Sequence, residues 1–157
     1  DFELPWVDHY PFRGLDQDIY EKPYNDTKFN LVSETNDNST DVFMTEKIWK
    51  PIIAEQIFIV HGNYLYLQKL KELGFKTFSN YFNESYDLEI DRNKRIEKIV
   101  QLCKDLKKFD WRDMYLQTKA LRKHNKDLFF DSEQLSKQVN ETLNVFLEFA
   151  DSSQITP

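Results

Sequence analysis

Three short stretches carry side chains able to meet a phosphorylated ligand: Ser33-Glu34-Thr35, Thr45-Glu46-Lys47 and His61-Gly62-Asn63. A helix that opens at Glu46 behind a Thr45 cap directs free backbone N–H groups and the positive end of its dipole outward, which suits a phosphate. Lys47 adds a full positive charge where a diphosphate would lie, and Glu46 offers two acceptor oxygens to ribose hydroxyls. The same residues also fit plainer roles, Glu46 as a first-turn partner of the dipole and Lys47 as a solvated side chain.

The elements flanking these stretches are expected to bring them to one edge. Phe29-Asn30-Leu31-Val32-Ser33 is β-prone and runs into turn formers over 34–41. Ile48, Trp49, Ile52 and Ile53 recur at helical spacing, with Pro51 expected to kink or delay that helix. Ile57-Phe58-Ile59-Val60 is a continuous apolar run, the pattern of a central parallel strand, and it ends at His61-Gly62-Asn63. Leu67, Leu70 and Leu73 predict a second helix capped by a left-handed Gly74, and Phe75–Phe78 alternates as a third strand.

Residues 29–78 therefore read as βαβαβ. Residues 1–28, punctuated by Pro5, Pro11, Gly14 and Pro23, read as an irregular lead-in. Beyond an aromatic, acidic loop, three helical patterns occupy 92–150: Ile96 to Leu106, Trp111 to Leu121 behind an Asp110 cap, and Leu135 to Leu147 behind Asp131. The expected architecture is α/β, one domain over 1–157, with a Rossmann-like parallel sheet followed by C-terminal covering helices. In such sheets ligands bind beyond the carboxyl ends of the strands, where all three stretches fall.

Composition narrows the partners. The 157 residues carry a formal net charge of −6, which sets up no field for a polyanion, so a nucleic acid is not an expected partner. No apolar run approaches the ~20 residues of a membrane span, and Asp1-Phe2-Glu3-Leu4 lacks the parts of a signal peptide. The single Cys103 excludes an intramolecular disulfide, and a cytoplasmic location is expected. The sequons at Asn25, Asn38, Asn83 and Asn140 are read as chance products of an Asn-rich chain. No metal is expected: His9, His61 and His124 lack ligand spacing, and Asp37, Asn38 and Asp41 lack the Gly and bidentate Glu of a calcium loop. Thirteen Phe, eight Tyr and three Trp supply the core, and Trp6, Tyr10, Phe12, Tyr81, Phe82 and Tyr86 flank the sheet edge where an exposed ring would stack on a base or sugar.

Lys28-Phe-Asn-Leu-Val-Ser-Glu34, Phe43-Met-Thr-Glu-Lys-Ile-Trp-Lys50 and the apolar strand into Gly62 resemble the signature of the α-1,3-fucosyltransferase family, which reads KF-x-x-x-x-E-N-S, then Y-x-T-E-K-L-W, then an apolar strand ending in Gly. Leu73-Gly-Phe-Lys-Thr-Phe78 and Asn83-Glu-Ser-Tyr-Asp87 are similar to glycosyltransferase-like proteins of bacteria and their viruses. The resemblance implies the donor half of a GT-B glycosyltransferase. It further implies metal-independent transfer, no cofactor, and a nucleoside-diphosphate sugar as substrate.

Carried over by position, the resemblance implies that Lys47 contacts donor phosphate, Glu46 the ribose, and that Glu34 shapes the nucleotide pocket, with Thr35, Phe43, Thr45, Lys50, Gly62 and Asn63 completing the donor site. The chain departs from the pattern at Thr35, where the family has Asn, and at Phe43, where it has Tyr, so the base and sugar stay open. The acceptor, a glycan or another molecule, would bind an N-terminal half supplied upstream or by another chain. The alternatives are a non-catalytic nucleotide- or glycan-binding module with the same fold, and an interaction domain using its aromatic surface.

Overall fold

The computed structural model describes residues 21–35, 37 and 42–131. Two strands, β1 (Asn30–Ser33) and β2 (Phe58–His61), pair in parallel with Leu31 opposite Ile59 and Ser33 opposite His61. Six helices surround them: α1 (Glu21–Asp26), α2 (Glu46–Ile53), α3 (Tyr66–Glu72), α4 (Arg92–Leu106), α5 (Trp111–Gln117) and α6 (Lys119–Phe129). The described part is mixed α/β and mostly helical. The run Ile57–Val60 is buried throughout, as its unbroken apolar pattern requires, and both α2 and α4 pack against β2.

The third expected strand does not form. Phe75–Phe78 has no regular structure and pairs with neither strand. The physical reason is that its backbone groups find side-chain partners. Asn125 of α6 accepts from the Lys76 N–H at 2.7 Å and donates to the Lys76 carbonyl at 2.8 Å, doing with one amide what a neighbouring strand would do. The Phe78 N–H is taken by Glu84 at 2.7 Å. Phe75 and Phe78 still bury, Phe78 edge-on to Phe58 at 5.0 Å, so the alternation reported burial correctly and pairing wrongly.

Other boundaries also differ from expectation. The last six residues described before Thr27 form α1, with Pro23 in its first turn where no donor is needed, so the lead-in is not wholly irregular. The helix expected over Trp111 to Leu121 is two helices. Thr118 between them donates its hydroxyl back to the Met114 carbonyl at 2.7 Å, a bond that competes with helical geometry, and α6 then continues to Phe129. The pattern from Leu135 to Leu147 lies outside the described residues, as do Trp6, Tyr10, Phe12 and His9.

Pro51 sits in the last turn of α2, and the helix ends two residues later. The end is a Schellman closure: Gln56 N–H reaches the Pro51 carbonyl at 2.8 Å, and Glu55 N–H reaches Ile52 at 3.1 Å. This places Glu55 at φ 51°, a conformation costing a side chain roughly 1–2 kcal/mol. Contacts from α6 offset it, since Lys126 pairs with the Glu55 carboxylate at 2.9 Å and Arg122 bonds its carbonyl. Gly74 makes the same closure for α3 at φ 90°, as its position predicts.

Helix α3 has no cap of its own, because Leu65 precedes it in a left-handed conformation. Asp87 supplies one from outside, accepting the N–H groups of Leu67 at 2.8 Å and Gln68 at 3.2 Å. Glu84, Tyr86 and Asp87, which carry the second resemblance, are thus tied into the scaffold. Glu84 holds Thr77 and Phe78, Tyr86 is buried with its hydroxyl near the Val60 N–H, and Asp87 caps α3. Burial pushes both carboxyls upward, against the hydrogen bonds that pull them down.

Candidate functional site at the carboxyl edge of the sheet

Glu34 follows β1 directly and is only 4% exposed. Three donors hold its carboxylate. Oε1 accepts the Tyr66 phenol at 2.6 Å and the Thr45 N–H at 3.2 Å, and Oε2 accepts the Thr45 hydroxyl at 2.6 Å. That hydroxyl in turn accepts the Lys47 N–H at 3.3 Å, which is the N-cap of α2. Glu34 therefore orients the cap and sets where α2 begins; its oxygens are already occupied.

Lys47 reaches across the opening between α2 and β1, its ammonium donating to the Thr35 hydroxyl at 2.6 Å. Glu46 and Phe43 are exposed beside it, and Lys50 is half-buried one turn further along α2. Glu34, Thr35, Thr45 and Lys47 thus come together as a hydrogen-bonded set, with Glu46 and Phe43 at its rim.

Gly62 and Asn63 serve differently from a ligand cradle. A β-carbon on Gly62 would lie 2.6 Å from Cδ2 of Tyr66, so the space above this glycine is filled by the tyrosine ring. Asn63 is buried at 1%, and its carbonyl accepts the Tyr66 N–H at 3.2 Å. Both residues position Tyr66, whose phenol burial and the Glu34 carboxylate hold firmly in its protonated, donating form.

A second cluster lies at the same edge, joined by contacts that no local pattern in the sequence signals. His61 ends β2 with Nδ1 3.4 Å from the Ser33 hydroxyl. Its Nε2 lies 3.1 Å from an Asp37 carboxylate oxygen, off the line of a good hydrogen bond. Asp37 is clamped from α4: Arg92 pairs with its carboxylate at 2.7 Å, and Arg95 bonds its carbonyl at 2.8 Å. Burial holds the imidazole below its usual range; Asp37 opposes this, and Arg92 and Arg95 add to it. His61 packs at the strand end, but within a polar cluster. The Arg92–Asp37 pair joins residues 55 positions apart, which no local pattern reveals.

The remaining candidates are structural. Phe82 and Tyr86 are core residues, Tyr81 donates to the Gln117 carbonyl at 3.1 Å, and His124 lies 3.1 Å from the Gly74 carbonyl. Cys103 is half-buried, and burial raises its thiol. Among the described residues, no group of His, Cys, Asp or Glu is placed to hold a metal ion, and no helix is long and apolar enough to cross a membrane.

The edge thus offers the Lys47 ammonium, a capped helix start and exposed Phe43, with Arg92 committed to Asp37, an arrangement able to hold an anionic ligand bearing a planar ring. Searches against protein-family models, curated proteins and solved structures find no match to the chain.

Proposed function

We propose that the chain is a nucleotide-sugar-binding unit, the donor half of a GT-B glycosyltransferase similar to the α-1,3-fucosyltransferases. The observation that carries this reading is the Glu34–Thr45–Lys47–Thr35 chain of hydrogen bonds. Three resembling motif residues and Thr35 fix a helix start and an ammonium group at the carboxyl edge of a parallel sheet. In this reading the Lys47 ammonium and the positive end of the α2 dipole hold the donor diphosphate and stabilise its charge as it leaves, without a metal. Glu46 at the rim takes ribose hydroxyls, and Phe43 stacks on the base. Transfer to an acceptor requires a second domain.

Calorimetric titration with GDP, UDP, ADP and their sugar conjugates tests the proposal. One nucleotide should bind saturably, and Lys47→Glu should weaken it by roughly tenfold or more, the loss of one charge-assisted contact. A folded chain that binds none of them defeats the donor-site reading.

A further inference from the structure

A cleft of about 600 Å³ opens at the other end of the sheet. Lys28 and Gln56 in its wall precede β1 and β2, so it faces the amino ends of the strands, a full strand's length from Ser33 and His61. Its volume falls within the ~300–1,000 Å³ of small-molecule sites. Trp111 and Tyr115 supply aromatic surface, and Trp111 is braced by stacking on Phe29 at 5.6 Å.

Charge sets this cleft apart in a chain of net charge −6. Lys28, Arg112, Lys119 and Arg122 line it, against one carboxylate, Glu55, which Lys126 already neutralises. The side chains of Lys28, Arg112 and Lys119 are exposed and have no carboxylate partner among the described residues. Arg122 is the more telling group. It is 9% exposed, yet its three bonded nitrogens meet neutral acceptors only: the Glu55 and Tyr115 carbonyls and the Thr118 hydroxyl. The Tyr115 ring covers its face at 4.4 Å. A buried guanidinium so placed is fixed and hydrogen-bonded without a direct carboxylate contact; burial lowers its pKa, and the charges of Tyr115 and Glu55 nearby oppose that.

Four cations lining one cleft, one of them held rigidly by neutral acceptors, beside two aromatic walls fit a ligand that carries both a phosphate and a planar ring. We infer that this amino-edge cleft is a binding site for a phosphorylated aromatic ligand of about nucleotide size. Its phosphate lies among Arg112, Lys119 and Lys28, and its ring against Trp111. The site is separate from the carboxyl edge and stands whether or not that edge binds a donor.

The test is an amide chemical-shift titration of the full chain with AMP, with ribose 5-phosphate and adenosine as the two halves of the probe. AMP should bind saturably below about 1 mM and move the amides of Lys28, Gln56, Arg112 and Lys119. Either half alone should bind at least about tenfold more weakly. Arg112→Glu/Lys119→Glu should abolish these shifts, and Arg112→Gln/Lys119→Gln should weaken binding less; both pairs lie on exposed positions, so the spectrum should stay that of the folded chain. Lys47→Glu should leave them unchanged, which separates this cleft from the donor site. The inference is overturned if AMP moves none of these amides, if adenosine binds as well as AMP, or if the double charge reversal leaves binding intact.

Discussion

Gly62→Ala isolates the packing that underlies the carboxyl edge. Gly62 does not occupy a positive-φ conformation, so the backbone accepts alanine and only the new methyl matters. That methyl would sit 2.6 Å from Tyr66 Cδ2 and 3.1 Å from Cγ, inside contact distance. The ring is fully buried and has little room to turn. Overpacking of this kind costs about 1–3 kcal/mol. If the ring swings far enough to release Glu34, a charged hydrogen bond of about 1.5–3 kcal/mol goes with it. The expected loss is therefore about 3 kcal/mol, or a urea midpoint lower by about 1.5 M at a slope near 2 kcal/mol/M.

The diagnostic step is to repeat the substitution in Tyr66→Leu, whose terminal methyls can rotate away as a planar ring cannot. There, Gly62→Ala should cost at least about 1 kcal/mol less, and entropy lost from the unfolded chain pulls the balance further toward stability. Equal penalties in the two backgrounds, within about 0.5 kcal/mol, would refute the claim that Tyr66 is what requires a glycine.

Two further outcomes can be measured on the same chain. Asn125→Ala strands both backbone groups of Lys76 and should cost about 1–3 kcal/mol, with faster hydrogen exchange at Lys76; Asn125→Asp should fare no better, because it presents oxygen to the Lys76 carbonyl. His61 should titrate below 6.5 by NMR, rising in Arg92→Gln and falling further in Asp37→Asn. A depressed folded pKa means that the neutral imidazole's contribution is complete above about 6.5 and is lost as pH falls through the folded value, so the urea midpoint should drop on that side only.

The sequence disclosed the elements that depend on local chemistry. Thr45, Asp110 and Gly74 cap where their side chains or freedom at φ predict, and the unbroken run Ile57–Val60 is the buried strand it resembles. It concealed what depends on groups brought from elsewhere. Phe75–Phe78 has a strand's alternation but lacks a strand's partner, because Asn125 arrives 49 residues later to occupy Lys76. Glu34, singled out beside a helix start, is saturated by Thr45 and Tyr66. The only local sign of Tyr66 was the small residue four positions before it, and nothing local pointed to Arg122, whose charge shows only once its three acceptors are assembled around it.

The borrowed cap of α3 bears on the order in which the chain folds. Seven residues make a helix too short to persist alone, and the carboxylate that completes its first turn belongs to Asp87, 20 residues beyond Leu67. A ribosome adds that stretch in about 1–4 s, whereas a helix forms and melts within about a microsecond. During synthesis α3 is therefore an unfinished turn that samples and abandons its shape many thousands of times. It becomes permanent only when a later segment folds back upon it and brings Asp87 to its first turn.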